Sequence, residues 1–422
     1  MALIKKPTTG MKDVLPQEMQ IRDYVTSLVK ETYEKFGFTP IETPAVEHIE
    51  NLSSKQGGEN EKLIFKILKR GEKLVLGDNV NEEDLVDSGL RYDLTVPLSR
   101  FYSNNAANLP SPFKALQIGP VWRADRPQKG RFRQFVQCDI DILGDPTNLA
   151  EIELITATTT LLGKLDFSDF SVRINDRRIL RAMAMYSGFA EEDLDKVFII
   201  LDKMDKIGID GVKEDLIANG FDSGAVDKYI ALFAQDATGI SYIESLASKL
   251  SDHLPEGCAE GLIGIIKSVE RVKKADFNIL FDPTLVRGMS YYTGTIFEIT
   301  MNEFGSSVAG GGRYDEMIGK FTGNKVCACG FSIGFERIIT ILLDRNFTVP
   351  NKGARHAFLI EKGADPDFVA SVMEEAATLR EKGECVLVSM MNKNKKFQKE
   401  QLEKDGFSSD NIREFYHSDF KN

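Results

Sequence analysis

Histidine is scarce in this chain, and cysteine nearly so. The four histidines (His48, His253, His356, His417) lie far apart and outside every patterned segment, so the sequence offers no histidine-based metal or nucleophile site. The five cysteines (Cys138, Cys258, Cys327, Cys329, Cys385) are scattered. Their one close pair, Cys327 and Cys329, lacks the wider spacing and the second pair that a structural zinc site uses, so buried, reduced thiols and no metal held by protein side chains are expected. No apolar run approaches the roughly 20 residues of a membrane helix, and the first apolar stretch is too short for a signal peptide. A cytoplasmic protein with no membrane partner is the expectation. Positive charge is in deficit, and a net charge of -11 argues against a coat that binds nucleic acid regardless of sequence. It leaves room for a local basic site.

Such a site is present. Between Arg123 and Arg133 the balance inverts, with Arg123, Arg126, Lys129, Arg131 and Arg133 set against Asp125 alone. The rest of the composition, 42% hydrophobic and 28% charged over 422 residues, is that of a globular chain long enough for two or three domains.

Periodicity divides the chain. Apolar residues recur at helical spacing over 17–36 (Ile21, Val25, Leu28, Phe36), and Gly37 is placed to end that helix. A proline-bounded extended segment, Phe38 to Pro44, follows. Three later segments alternate with a period of two, as strands with one polar face do. In the first, Arg91, Asp93 and Thr95 share a face; in the second, Gln137, Asp139 and Asp141; in the third, Phe297, Ile299 and Met301 alternate with Glu298 and Thr300. Together they predict an antiparallel sheet whose polar side lines a pocket, although a merely solvated face has the same pattern. The texture turns helical over 172–277, which reads as an insert between two parts of the sheet, 1–171 and 278–343. A turn-rich linker (344–355) then leads to alternating strands and helices, a small α/β domain over 356–422.

Four segments carry chemistry. Val286-Arg287-Gly288-Met289-Ser290-Tyr291-Tyr292-Thr293-Gly294 sets a permanent cation beside a close-approach glycine and two flat, hydroxyl-tipped rings. Residues 117–141 place the basic cluster between two strand-like stretches. Cys329-Gly330-Phe331-Ser332-Ile333-Gly334-Phe335-Glu336-Arg337 reads as a strand passing into a helix. Gly310-Gly311-Gly312-Arg313-Tyr314-Asp315 is a glycine run ending in a tyrosine and an acid.

The first and last of these segments resemble the two histidine-specific motifs of histidyl-tRNA synthetases, residues 117–141 resemble motif 2 and Cys329–Arg337 motif 3, and the helix and strand of 17–44 are similar to motif 1 of class II synthetases. The resemblance runs from about Lys6 to Ile341 and more loosely beyond. It implies an α+β fold: a class II antiparallel catalytic sheet with a helical insert that clamps tRNA, and a small C-terminal α/β anticodon-binding-like domain, expected here in shortened form. It implies ATP-dependent activation of L-histidine with Mg²⁺ on the phosphates, transfer to tRNA(His), and a homodimer assembled through motif 1. By the same resemblance Arg123 and Arg287 are catalytic, gripping the α-phosphate and carboxylate, and Arg131, Phe135 and Arg337 meet the rest of ATP. Asp93, Thr95 and Gln137 receive the ammonium of histidine; Asp141, Tyr291, Tyr292 and Tyr314 receive its ring; Arg126 and Gln128 reach the tRNA acceptor end. Ser290 stands where many members have an acid. Two other readings belong beside this one: a non-catalytic paralogue similar to the regulatory subunit of ATP phosphoribosyltransferase, which generally lacks the arginine found here at 287, and a class II ligase for another amino acid.

Overall fold

A computed structural model describes residues 3–53, 60–77, 80–127, 131–233, 239–287, 291–303, 305–350 and 353–420. Their fourteen strands are, in chain order, β1 (Thr39–Pro40), β2 (Val46–His48), β3 (Lys66–Leu68), β4 (Val86–Leu90), β5 (Phe113–Trp122), β6 (Gln134–Leu143), β7 (Phe170–Asp176), β8 (Phe277–Phe281), β9 (Thr295–Met301), β10 (Ser306–Arg313), β11 (Ala328–Ile333), β12 (Arg355–Ile360), β13 (Cys385–Met390) and β14 (Ile412–Phe415). The chain forms two compact units, Met1–Asp13 with Val25–Arg345, and Val14–Tyr24 with Asn346–Asn422.

The first unit is built on an eight-stranded sheet in the order β1-β5-β6-β11-β10-β9-β7-β8. Its ladders are antiparallel except at the two ends, where β1 runs parallel to β5 and β8 to β7. Adjacent cross-strand rows have opposite character. One row, Leu116–Ile140–Phe331–Gly311–Phe297–Ile174, is apolar. Its five side chains are at most 2% exposed, and each contributes roughly 1.5–3 kcal/mol by leaving water. Gly311 is needed there: a Cβ would come within 2.8 Å of the Phe297 ring, and without it the Phe297 and Phe331 rings meet edge to face at 4.6 Å. The next row, Gln117–Asp139–Ser332–Gly310–Glu298–Arg173, is polar or glycine throughout and lies on the opposite face.

On the apolar side, Arg313 of β10 clamps the helix Leu149–Lys164 with two 2.7 Å bonds to Glu151, whose side chain is fully buried. The same guanidinium donates to the carbonyls of Asp145 and Thr147. The helix Pro16–Glu34 ends as its sequence predicts, with Gly37 at a φ of 80°.

Two expectations change. Arg91, Asp93 and Thr95 do not share a strand face: β4 stops at Leu90 and joins a separate three-stranded sheet, β2-β4-β3, and Thr95 opens the helix Thr95–Asn105. Local chemistry overrides the alternation, because the Asp93 carboxylate accepts the Val96 N–H at 3.0 Å, and Pro97 fits the first helical turn, where no N–H is required. The helical insert also begins later than 172. Residues 170–176 pair on both sides as β7, and helices start at Arg177, where Asp176 caps the first by accepting the Arg178 N–H at 2.9 Å.

In the second unit β12 lies between β13 and β14, all parallel, as alternation of strands with the helices Pro366–Glu381 and Lys395–Lys404 requires. Phe358, Ile360, Phe368, Val372 and Phe415 pack together on one side of this sheet, and Ala357, Leu359, Leu402 and Phe407 on the other. The basic helix is less cationic than its sequence: Lys395 and Lys399 both pair with Glu414 of β14, at 3.0 and 2.6 Å. No helix among the described residues is long and apolar enough to cross a membrane.

Candidate active site

The polar row forms the floor of the site. β5 and β6 pair Gln117 with Asp139 and Ala115 with Asp141, and β11 pairs Ser332 with Asp139 and Gly330 with Asp141. Gln137, Asp139 and Asp141, alternate residues of β6, therefore bring acceptors to one face. Four of the oxygens there, Gln117 Oε1, Gln137 Oε1, Asp139 Oδ1 and Asp141 Oδ2, are buried without a hydrogen-bond partner. A buried acceptor without a donor costs about 1–3 kcal/mol, so four together describe a surface shaped for a ligand rich in N–H groups.

The carboxyls are held in place by their neighbours. The Tyr314 hydroxyl donates to Asp141 Oδ1 at 2.5 Å, and Gln137 Nε2 donates to Asp139 Oδ2 at 3.0 Å. Gly330 makes room, since a Cβ there would collide with Asp141 Oδ1. Burial raises Asp141 to about 7, with the Tyr314 hydrogen bond pulling the other way and Asp93 adding to the rise. Asp139 lies well above the usual carboxylate range, first through burial and then through the charge of Asp141. The charge of Asp141 disfavours ionisation of Asp139 until a cation arrives.

Above this floor a cleft of about 210 Å³ opens between β6, β10 and the start of the helix Phe335–Asp344. Arg123, Arg131, Arg287 and Arg337 all line it, with Phe135 and Gln137. Arg123 lies against the rings of Tyr92 (4.3 Å) and Phe135 (5.2 Å), and its Nε donates to the Tyr92 carbonyl at 3.1 Å, which fixes the plane of the guanidinium. Arg287 lies over Gly310, bonding through Nη1 to Glu298 and to Ser307 Oγ at 3.2 Å. Arg337 donates to the Ser307 carbonyl; burial, then repulsion from Arg287 and Arg131, lowers its pKa. Four guanidinium groups crowded around one cleft are a site for anionic oxygen.

Tyr291 and Tyr292 stand elsewhere on the rim. Their rings meet at 4.3 Å, and Tyr291 meets Tyr314 edge to face at 6.4 Å, which ties the pair to the Asp141 end of the floor. Both also line a second cavity of about 380 Å³ beside Arg177 and Phe198. Thr95 sits in the first turn of its helix and Asp93 just before it, near Gln117, whose Nε2 donates to the Leu94 carbonyl at 3.2 Å. Arg126 is exposed, and Gln128 and Ser290 lie outside the described residues. Sequence reasoning passed over Gln117 and Glu298. A charged residue between Phe297 and Ile299 was the available signal for Glu298, and cross-strand pairing with Asp139 singles out Gln117 only once the register is known.

A largely antiparallel sheet with acceptors in its floor and arginines over an anion-sized cleft has the fold of a class II aminoacyl-tRNA synthetase. The sequence pattern of the histidyl-tRNA synthetase family matches residues 10–338. The chain is 45% identical over 346 residues to the histidine–tRNA ligase of Leifsonia xyli subsp. xyli, covering 80% of each chain. It is 42% identical over 417 residues to the probable histidine–tRNA ligase of Tropheryma whipplei strain Twist, covering 96% of this chain and 94% of that one. Among solved structures, histidyl-tRNA synthetase from Nostoc sp. PCC 7120 superimposes with a TM-score of 0.77 at 27% identity, covering 96% of this chain and 90% of that one. A Bacillus halodurans protein described as an ATP phosphoribosyltransferase regulatory subunit/histidyl-tRNA synthetase has the same fold, with a TM-score of 0.75 at 21% identity and 99% of both chains covered. This chain belongs to the histidyl-tRNA synthetase family.

Proposed function

We infer that the chain is a histidine–tRNA ligase, which joins L-histidine to AMP at the expense of ATP and then passes it to the 3′ end of tRNA(His). The observation that carries the reading is the juxtaposition of four partnerless buried acceptors with four arginines. An amino acid with a second N–H-bearing group satisfies the first set while its carboxylate, with the nucleotide phosphates, meets the second.

In this reading the α-ammonium is received by Asp93, Thr95 and Gln137, with Gln117 and Asp139 adjoining. Asp141 accepts from the imidazole N–H, and Tyr314, hydrogen-bonded to it, fixes its rotamer; Tyr291 and Tyr292 wall the ring. A free α-carboxyl, with a pKa of about 3.5, is already ionised at neutral pH, so no base is needed for attack on the α-phosphorus. The new bond joins carboxylate oxygen to phosphorus, and the bond to pyrophosphate breaks. Charge building on the α-phosphoryl oxygens is met by Arg123 and Arg287, one such donor being worth roughly 3 to 4 kcal/mol. Phe135 offers its ring to adenine, and Arg131 and Arg337 meet the other phosphates. In the second step the terminal ribose hydroxyl of the tRNA attacks the acyl carbon and AMP leaves, with Arg126 and Gln128 at the acceptor end.

Mg²⁺ would arrive on the triphosphate, whose oxygens supply most of its ligands. Among the described residues, Asp125 and Glu336 are the acids lining the cleft and could complete its shell. It would neutralise phosphate charge. The helical insert reads as a clamp on the tRNA and the second unit as an anticodon reader, in a cytoplasmic homodimer. Pyrophosphate exchange into ATP, assayed with each proteinogenic amino acid in turn, tests the core of the reading. Exchange with histidine alone is expected; exchange with another amino acid, or none, overturns it.

A further inference from the structure

The polar row does not stop at Arg287's partner. Glu298 holds Arg287 through Oε2, and its Oε1 lies 3.5 Å from Nη1 of Arg173, its cross-strand neighbour. That same Nη1 donates to Asp205 Oδ2 at 3.0 Å, and Nη2 reaches Asp205 Oδ1 at 3.4 Å. Arg173 Nε is fixed by Asp282 at the end of β8. Asp205 belongs to the insert, in the helix Met204–Ala218, and its side chain is 70% exposed, against 17% for Arg173 and 14% for Glu298. One carboxylate is thus shared by two arginines, and one of those arginines is shared with the insert.

We propose that Glu298 and Arg173 are positioning residues through which the placement of the helical insert is transmitted to Arg287. Asp205 and Glu298 compete for one N–H face of Arg173. With the insert docked, Asp205 takes the shorter bond to that face, at 3.0 Å, and leaves Arg173 only a 3.5 Å contact with Glu298, whose carboxylate is given chiefly to Arg287, pinned flat over Gly310 with its remaining edge toward the cleft. When the insert moves, Arg173 turns fully to Glu298, the carboxylate is divided evenly between two cations, and Arg287 loses its fixed plane. Whatever seats or shifts the insert, the tRNA in the reading above, would thereby tune adenylate formation some distance away. The proposal rests on Arg287 acting in activation, and supplies what holds it there.

The test is a mutant cycle on the full chain read by histidine-dependent pyrophosphate exchange. Asp205→Asn should lower kcat about three- to tenfold while leaving KM for histidine unchanged, because it loosens an orienting contact and touches no acceptor of the floor. Asp205→Glu should recover most of the loss. In an Arg287→Lys or an Arg173→Gln background, Asp205→Asn should have no further effect, the path being already cut. An equal loss in all backgrounds, a rise in KM in place of a fall in kcat, or no change in the parent overturns the proposal. If Arg287→Lys itself leaves exchange intact, the fault lies with the active-site reading instead. Circular dichroism and equal thermal midpoints check that Asp205→Asn, an exposed change, is folded.

Discussion

Gly310 and the guanidinium of Arg287 compete for one place: a Cβ on Gly310 would clash with the Nη1, Cζ and Nη2 atoms that lie across it. The glycine is required here for close approach, since φ at 310 is not in the left-handed region. What must give way is the far end of a flexible side chain. Gly310→Ala is therefore expected to fold normally and yet to behave as a loss of Arg287, reducing histidine-dependent exchange by about a hundredfold or more. Combined with Arg287→Ala it should do little further harm. Exchange kinetics and thermal melts of the three variants check this, and a Gly310→Ala enzyme of full activity would contradict the placement of Arg287.

The raised Asp141 predicts a pH dependence of opposite sign for binding and stability. Below about 7 the buried carboxyl is protonated, and a ligand that donates N–H to it must first expel that proton. Affinity for the amino acid should therefore rise with pH up to about 7 and then level. Calorimetric titration with triazolylalanine, whose ring does not titrate in this range, separates the effect from ionisation of the imidazole, and Asp141→Asn should flatten it.

For folding the direction reverses. The folded-state pKa lies above the unfolded value of about 4, so the native chain holds the proton more tightly, and stability is lost as pH rises from about 4 to about 7. Asp141→Asn should accordingly raise the thermal midpoint of the ligand-free protein more at pH 8 than at pH 4. A uniform shift at both pH values would argue against a neutral Asp141.

Arg313, though it sits between a glycine run and Tyr314, faces away from the polar floor and closes the bidentate pair with Glu151. Removing one member strands a buried charge, so Arg313→Ala should destabilise the fold by about 3–5 kcal/mol. Arg313→Met with Glu151→Leu should cost far less. Urea denaturation of both variants makes the comparison; equal losses would mean that the pair acts through packing alone.

Assembly is open to direct measurement. Val46 and Leu68 on the small sheet expose 46% and 56% of their surface, and the helix and strand of 17–44 are similar to a dimerising motif. Light scattering at micromolar concentration should give twice the 47.2 kDa of one chain. A monomer would remove the twofold interface from the proposal.

Much of this site could be read before the fold was known, because its information is local. Alternation in Gln137, Asp139 and Asp141 predicts one polar face, and β6 provides it. The same rule failed at Arg91, Asp93 and Thr95, where an aspartate cap and Pro97 made a helix start instead. What sequence could not give is register. That Gln117 faces Asp139, that Glu298 lies between Arg173 and Gly310, and that Arg313 turns toward Glu151 all depend on pairings between residues far apart in the chain.

The strand order has a consequence for how the protein is made. β11, the last strand of the catalytic sheet to leave the ribosome, is inserted at its middle, between β6 and β10. Until Ile333 has emerged, Gln134–Leu143 presents an open edge with Ile140 and Ile142 on its apolar side, and the two parts of the floor have nothing to join them. Such long-range pairing is slow to form. A chain stalled anywhere between Leu143 and Ala328 is accordingly a template for edge-to-edge association, and the protein's exposure to aggregation lasts until β11 has been made.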